Sequence, residues 1–291
     1  MLNALALFFV SGLAVGSLYA LGGVGLVILF RSTGVLNFSY GAIAAFSAMF
    51  AWQLIQWGFT APLAWIGAIL AGISSSVVYG RLVSPRFAWR EPTVKAIATR
   101  GYMLILIGLM DFIWEDTLRK IELPTDKIGV LLLGVRITVT RIVAFVGTIS
   151  AVYGMTEFLG RTRVGLNMRA LSDNRNHAAL LGIPVVKTET LAWGISGALA
   201  GFTGLLFANL VRLEPNVITF MVIPAIAAAI CGKLESLSMT FVGGLVIGVT
   251  EALLTVYKPL APLRSMVPFV AAGLAILWLQ RNSRLIFATG D

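Results

Sequence analysis

The chain has 291 residues, of which 58% are hydrophobic and 12% charged, and its formal net charge is +9 at pH 7. Soluble domains carry about twice this share of charged residues, so the composition argues against a soluble enzyme and indicates a polytopic membrane protein. In such a protein an excess of Lys and Arg marks the cytoplasmic loops, so the positive charge does not indicate nucleic-acid binding.

Continuous apolar runs predict an all-α fold with eight or nine transmembrane helices, since one span needs about 20 residues and a β-barrel would show alternation instead. The first run, Leu2 to Phe30, is uncharged and follows no basic segment, so we expect a retained span rather than a signal peptide. The seventh segment is short and contains Pro224, which predicts a broken or re-entrant helix. The predicted segments are residues 6–29, 38–57, 62–80, 94–114, 138–159, 188–210, 217–231, 237–256 and 263–280.

The distribution of basic residues predicts the orientation of the chain. Most of the 22 Lys and Arg residues fall on the side of the 161–187 loop and the C-terminus, so we place both in the cytoplasm. Nine crossings would leave the N-terminus outside, whereas eight would place it inside. The sizeable outward connection is 115–136, where Pro124 and the alternation after it predict an ordered loop or short strand pair. We expect it to be solvated, with an external partner as the alternative.

We expect one transmembrane domain, over residues 1–291, with a weak internal repeat. Ser11-Gly12-x-x-x-Gly16 in the first span recurs as Ser196-Gly197-x-x-x-Gly201 in the sixth. The predicted topology runs these spans in opposite directions, as an inverted repeat requires. Small residues at this spacing are also common wherever membrane helices pack closely, so helix packing is the alternative explanation.

The 161–187 loop is a basic segment between two long apolar runs, and its sequence predicts a short helix. Asp173 is the candidate N-cap, Gly182 stands where a left-handed C-terminal residue belongs, and Pro184 stops any continuation. A structured basic loop predicts a docking site on the cytoplasmic side. A solvated loop without a partner is the alternative.

Motifs of soluble enzymes do not account for this chain. Because it lacks GxxxxGK[ST], it has no P-loop for a nucleotide. His177 is the sole histidine, and Cys231 is the sole cysteine and is flanked by apolar residues. We therefore predict no catalytic residue, no cofactor-binding residue and no metal ligand.

Polar residues inside the predicted spans point to transport. Glu251 and Asp111 are costly at membrane depth and tend to face an interior or a cavity, although Glu251 could also lie near the interface. Asn37 is placed where a broken helix could offer its amide to a polar ligand, or it is an ordinary helix cap. A proton- or ion-coupled carrier usually needs several buried carboxylates along its path. Since this chain has only two candidate carboxylates, Glu251 and Asp111, we favour a transporter whose energy comes from another subunit. A carrier acting alone remains the alternative.

Three stretches resemble a known family, the permease subunits of branched-chain amino acid ABC transporters, and among them the shorter, H-type permease. SGLAVGSLYALGGVGLVILFRSTGVLNFSYGA, residues 11–42, is similar to the family's opening helix and its Asn-Phe turn. RTRVGLNMRALSDNRNHAALLGI, residues 161–183, is similar to the family's cytoplasmic loop. GGLVIGVTEAL, residues 243–253, is similar to the family's late helix.

The resemblance implies a role and a set of partners. In the family the loop forms coupling helices that seat in a groove of the ATPase subunit. The implied partners are two ATP-binding cassette subunits, a second permease (a paralogue or a second copy) and an extracytoplasmic solute-binding protein, at the inner membrane of a bacterial-type cell. ATP would be bound by the partner subunits, and this chain would be no enzyme. Carried over to this sequence, the coupling positions are Arg169, Ala170, Asp173, Ala178, Leu181 and Gly182.

The cargo implied by the resemblance is a branched-chain or hydrophobic amino acid, and two departures bear on it. Many relatives have His-Gly-Glu after the Asn-Phe turn, where this chain has Tyr40-Gly41-Ala42. Relatives also tend to have a Gly-rich turn before the late helix, where this chain has residues 232–236, GKLES. Related permeases serve urea and short amides, which are the alternative cargo. We expect Asn37, Tyr40 and Glu251 along the translocation pathway.

Overall fold

The computed structural model describes residues 2–87, 90–114, 119, 121, 126, 128–132, 135–211, 213–257 and 259–282. These residues form twelve α-helices, one short hairpin and three irregular helical turns, and the turns span Tyr79–Val83, Ser84–Phe87 and Ala261–Met266. In chain order the elements are α1 Leu2–Thr33, α2 Tyr40–Gln56, α3 Ala61–Val78, α4 Pro92–Trp114, β1 Gly129–Leu132, β2 Val135–Thr138, α5 Val139–Arg161, α6 Arg163–Asp173, α7 Arg175–Leu180, α8 Val185–Leu210, α9 Pro215–Phe220, α10 Val222–Cys231, α11 Leu237–Leu254 and α12 Val267–Asn282.

The predicted polytopic helical fold is confirmed. Seven helical segments within the described ranges are long and apolar enough to cross a membrane, and α2 and the α9–α10 pair add two shorter apolar segments. All nine predicted segments coincide with helix. The long segments are Leu5–Thr33, Ala61–Phe87, Pro92–Trp114, Val139–Arg161, Val185–Leu210, Leu237–Leu254 and Ala261–Trp278.

The seventh predicted segment is broken, as Pro224 suggested. It forms α9 and α10, which are separated at Met221. Just before α9, Leu213 forms an isolated antiparallel β-bridge with Arg119 at one end of the bundle. After α10, the carbonyl oxygen of Glu235 accepts a hydrogen bond from Arg31 at the other end. The broken segment therefore runs the length of the bundle.

We name the two ends of the bundle by their landmarks. The loop end carries α6 and α7, and the hairpin end carries β1 and β2. At the hairpin end, Asp126 accepts hydrogen bonds from Thr140 and from Asn209 of α8, both at 2.6 Å. These contacts tie the 115–136 connection to the helices. The antiparallel pairing of β1 with β2 agrees with the predicted strand pair. Pro124 lies outside the described residues.

Glycines allow α1 and α11 to pack closely as an antiparallel pair. Gly12 meets Val249, and Gly16 meets the carbonyl oxygen of Gly244. Residue numbers therefore increase along α1 while those of their contacts decrease along α11, as in an antiparallel pair. A Cβ at Gly12 would lie only 2.7 Å from the Cα of Val249. Gly248 in turn lies directly against the backbone of Gly16.

The second Ser-Gly-x-x-x-Gly stretch does the same for α8 and α3. Gly197 and Gly201 of α8 lie against the backbone of Gly72 and Ala68 of α3. Both copies of the pattern therefore serve close helix packing, which was the alternative explanation for the repeat. Helices α1 and α8 run in opposite directions in the bundle, because Tyr19 contacts Phe207 while the other end of α1 shares a buried cluster with the start of α8.

We predict that Gly248→Leu lowers the thermal stability of the protein in detergent. The new side chain would overlap the backbone of Gly16, and overpacking of this kind costs about 1–3 kcal/mol or more. Gly108→Leu is the matched control, since a Cβ at this position in α4 meets nothing within 4 Å. Equal melting temperatures for the two variants would contradict the packing argument.

Candidate coupling surface and solute cavity

Two capped helices, rather than the one predicted, form the loop between α5 and α8. The Thr162 side chain accepts a hydrogen bond from the Gly165 backbone nitrogen (3.0 Å) and begins α6. The Asn174 side chain accepts one from the His177 backbone nitrogen (3.0 Å) and begins α7. The predicted N-cap role of Asp173 is therefore wrong. Asp173 still belongs to α6, whereas the extended backbone of Asn174 brings its oxygen over the next turn.

The C-terminal end of α7 is as predicted. Gly182 has a φ of +82°, and its backbone nitrogen donates to the Ala179 carbonyl oxygen (3.0 Å). The Ile183 nitrogen donates to the Ala178 carbonyl oxygen (3.1 Å), which completes a Schellman motif. Pro184 follows and precedes α8. Glycine suits this turn because it adopts a positive φ without a steric cost.

Buried contacts hold this loop against the bundle. Met168, Leu171 and Ala178 are buried, and Arg169 donates through Nη2 to the carbonyl oxygen of Gly160 (3.2 Å). These residues keep α6 and α7 in a defined position at the loop end. Of the predicted coupling positions, Ala178 therefore faces inward, while Arg169 and Ala170 are half-buried.

An ion pair joins α7 to α8. Arg175 Nη2 lies 3.0 Å from Glu189 Oε1 and 3.2 Å from Oε2, and the Glu189 side chain is 7% exposed. Lys95 of α4 interacts electrostatically with both charged groups. The Glu189 carboxylate therefore connects α7 mechanically to α8, so that a displacement of α7 would also act on α8.

The outer surface of the loop is apolar at its tip. Leu180 is 85% exposed and Leu181 is 81% exposed, and they are followed by the exposed Gly182. Asp173 is also exposed, at the junction of α6 and α7. Two adjacent exposed leucines on a capped turn form an apolar surface, which makes this tip a candidate docking site.

Asn37 lies in the turn between α1 and α2, at the loop end. Its Oδ1 accepts hydrogen bonds from the backbone nitrogen (3.0 Å) and hydroxyl (2.6 Å) of Ser39, so the amide oxygen closes a local turn just before α2, whose N-cap is Ser39. Its Nδ2 is buried and has no hydrogen-bond partner among the described residues. The amide oxygen is therefore used in a local turn and Asn37 is not itself the N-cap of α2, while the role of its amide nitrogen stays a prediction.

Tyr40 is a packing residue in this structure. It is fully buried, and its ring lies against Gly22 and Gly25 of α1. The phenol oxygen is 3.5 Å from the Thr203 hydroxyl of α8. The side chain therefore joins α1, α2 and α8.

Glu251 lies at the opposite end from Asn37. Its Oε2 accepts a hydrogen bond from the Tyr19 hydroxyl (2.9 Å), and both residues line a cavity of about 570 Å³ near the hairpin end. A helical rise of about 1.5 Å per residue separates Tyr19 from Thr33 by about 20 Å along α1. The three predicted pathway residues are thus not one site. Asp111 is exposed on α4 and does not contribute to the bundle interior.

The comparisons with known proteins agree with this arrangement. The family described as "Branched-chain amino acid transport system / permease component" matches residues 8–277. The chain belongs to this permease family. As a member it is a multi-pass membrane protein and a transport component rather than an enzyme, and membership implies ATPase and solute-binding partners.

Individual relatives support the same assignment. The permease is 28% identical over 244 residues to the probable branched-chain amino acid transport permease LivH of Methanocaldococcus jannaschii, covering 80% of this chain and 76% of the relative. It is 28% identical over 263 residues to the high-affinity branched-chain amino acid permease BraD of Pseudomonas aeruginosa, covering 84% of each. In fold it is similar to a chain of PsaBC from Streptococcus pneumoniae, solved with a Fab, at a TM-score of 0.53 and 14% identity, covering 94% of this chain and 89% of that one.

Sequence reasoning missed three residues of the permease that matter at these sites. Glu189 was not singled out, although it is an acidic residue shortly after a basic loop. Tyr19 was missed because its hydrogen bond to Glu251 joins distant parts of the chain, and Arg264 because it lies in the turn before α12 and was not linked to Glu251. Within the described ranges, no group of three or more His, Cys, Asp or Glu could hold a metal ion.

Proposed function

We propose that this permease forms the translocation pathway of an ABC importer for branched-chain or hydrophobic amino acids, coupled to its ATPases through the 161–187 loop. The observation that carries the proposal is the pair of exposed leucines, Leu180 and Leu181, on a rigid turn whose helix is ion-paired to α8. This surface suits insertion into a groove of a partner subunit.

The proposed assembly contains two ATP-binding cassette subunits, a second permease and an extracytoplasmic solute-binding protein. ATP is bound by the cassette subunits. The loop end lies in the cytoplasm of a bacterial-type cell, because most Lys and Arg residues fall on that side. Nine crossings would then leave the start of α1 outside.

Closure of the ATPases on ATP would displace the leucine tip, and α7 would transmit the movement. Arg175 and Glu189 pass it to α8, which packs against α1, α2 and α3. Because α8 contacts three helices of the core, its shift would rearrange the pathway. In this mechanism Asp173, Leu181 and Gly182 contact the ATPase, while Arg169, Ala170 and Ala178 hold the loop in position.

The proposed cargo follows from the family and from the cavity at the hairpin end. The walls of this cavity are largely apolar, and a proton- or ion-coupled carrier would require more carboxylates along its path. Small solutes with an aliphatic side chain suit such a cavity. The high-affinity branched-chain amino acid permease of Pseudomonas aeruginosa, similar over most of its length, supports this choice.

We predict that gentle detergent extraction of the tagged permease from its own cells recovers ATPase subunits at near-stoichiometric yield, identified by mass spectrometry. Reconstituted vesicles should then accumulate labelled leucine only when ATP and the solute-binding protein are supplied. The chain recovered alone, and still competent for uptake in ATP-free vesicles, would overturn the proposal in favour of an independent carrier.

A further inference from the structure

The cavity of about 570 Å³ near the hairpin end combines apolar walls with two opposite charges. Its size lies within the range of about 300–1,000 Å³ that is usual for small-molecule sites. It is an open cleft lined by residues of α1, α8, α9, α10, α11 and the start of α12. Its apolar walls include Phe8, Val15, Phe207, Phe220, Met221 and Ile223.

The negative group of the cavity is Glu251. Tyr19 donates a hydrogen bond to Oε2 and so fixes the orientation of the carboxylate. The Thr255 hydroxyl is already used, since it donates to the backbone oxygen of Glu251 (2.9 Å). Tyr19 itself is held between this bond and the ring of Phe207, whose centroid is 6.2 Å away. The carboxylate is therefore positioned rather than free to rotate.

The positive group is Arg264, in the Ala261–Met266 turn that borders the cavity. It interacts electrostatically with both Glu251 and Tyr19. In the part of the chain that the structure describes, no direct ion pair joins Arg264 to Glu251. The two charges thus face a common space and are separated by a gap.

A positioned carboxylate and an exposed guanidinium, separated by a gap beside an apolar wall, suit a zwitterion. An ammonium group can pair with the carboxylate, and a carboxylate can pair with the guanidinium, so neither charge of the ligand is left unpaired. A simple amine or a simple acid would satisfy only one of the two protein groups. Urea and short amides carry no charge for either.

We propose that this cavity is a binding site for zwitterionic amino acids with aliphatic side chains, which holds the α-ammonium at Glu251 and the α-carboxylate at Arg264. The aliphatic side chain lies among Phe207, Phe220 and Met221. This inference rests on the proposed function, because the site lies on the proposed solute pathway, and it adds the means by which the permease recognises its cargo.

The test measures direct binding to the purified complex without the solute-binding protein, by saturation-transfer NMR, which detects weak ligands. The probes are leucine, 4-methylpentanoate, which lacks the ammonium group, and 3-methylbutylamine, which lacks the carboxylate. We expect Glu251→Gln to weaken leucine and the amine by about tenfold or more and to leave the acid unchanged. Arg264→Gln should weaken leucine and the acid and leave the amine unchanged.

Two matched variants control for general effects. Glu157→Gln removes a carboxylate of an exposed ion pair with Arg161 on α5 (2.5 Å), and Arg141→Gln removes an arginine that does not line the cavity. Both should bind leucine as the wild type does. Leucine binding that is unchanged in the Glu251 and Arg264 variants, or lowered equally in the controls, would overturn the inference.

The same preparations separate this inference from the proposed function. Recovery of the ATPase subunits without any binding of leucine would overturn the zwitterion site and leave the importer assignment standing. Leucine binding that depends on Glu251 in a chain recovered without ATPases would support the site and overturn the assignment to an ATP-driven importer.

Discussion

Replacing Leu181 with aspartate should abolish co-purification of the ATPase subunits and ATP-driven transport together. Leu181 is 81% exposed at the tip of α7, so the substitution disturbs no internal packing. In a docked complex, however, it would place an unpaired charge in an apolar groove, where the cost is several kcal/mol. We expect the affinity for the ATPase to fall at least about a hundredfold. Quantitative mass spectrometry of the purified complex and leucine uptake measure the two effects.

Leu181→Met is the matched control for this prediction. It conserves the volume and the apolar character of the side chain, so assembly and uptake should stay close to the wild type. The melting temperature of each isolated variant should match that of the unaltered permease. If Leu181→Asp retained the ATPases, the tip would not be the docking surface.

Glu189→Gln should reduce transport by about tenfold while the ATPase subunits stay bound, which is within the usual range for coupling between two sites. The substitution keeps the size of the side chain but removes the negative charge that pairs with Arg175 (3.0 Å). The Glu189 carboxylate would then no longer offset the repulsion between Arg175 and Lys95. We expect α7 to separate from α8, so that ATP hydrolysis continues without productive movement. The ratio of leucine transported to ATP hydrolysed measures this loss.

Glu157→Gln is the control for the coupling argument. Its partner Arg161 is 80% exposed, and exposed pairs four residues apart contribute about 0.3–0.5 kcal/mol, so transport per ATP should be unchanged. An equal loss in both variants would indicate a general effect of charge at the loop end. An unchanged ratio in Glu189→Gln would show that movement reaches the bundle by another route.

The loop illustrates how local signals were informative and where they failed. Gly182 and Pro184 ended α7 as predicted, because a positive φ and a missing backbone N–H act on their own neighbours. Asp173 was the wrong N-cap because two adjacent residues, Asp173 and Asn174, can both cap a helix. The choice between them depended on α6, whose burial of Met168 and Leu171 keeps Asp173 helical.

The pathway residues show a different limit. Asn37 and Glu251 were grouped because both are polar residues in or beside apolar runs, yet they lie at opposite ends of the bundle. Tyr40 was grouped with them through the family resemblance and is a core side chain packed on glycines. Polarity in a span indicates that a side chain avoids lipid, but it does not indicate which neighbour the side chain meets.

The sequence by itself determined the membrane class, the nine helical segments, the break near Pro224 and the rigid end of α7, because hydropathy and backbone preferences act over one or two turns. Only the tertiary structure decided that Tyr19 hydrogen-bonds Glu251, that Arg264 lines the same cavity, and that Arg175 pairs with Glu189. Tyr19 and Glu251 are 232 positions apart, and α1 and α11 bring them together by packing along their glycines. A helical periodicity identifies which residues share a face, whereas the partner of that face depends on how all the helices pack at once.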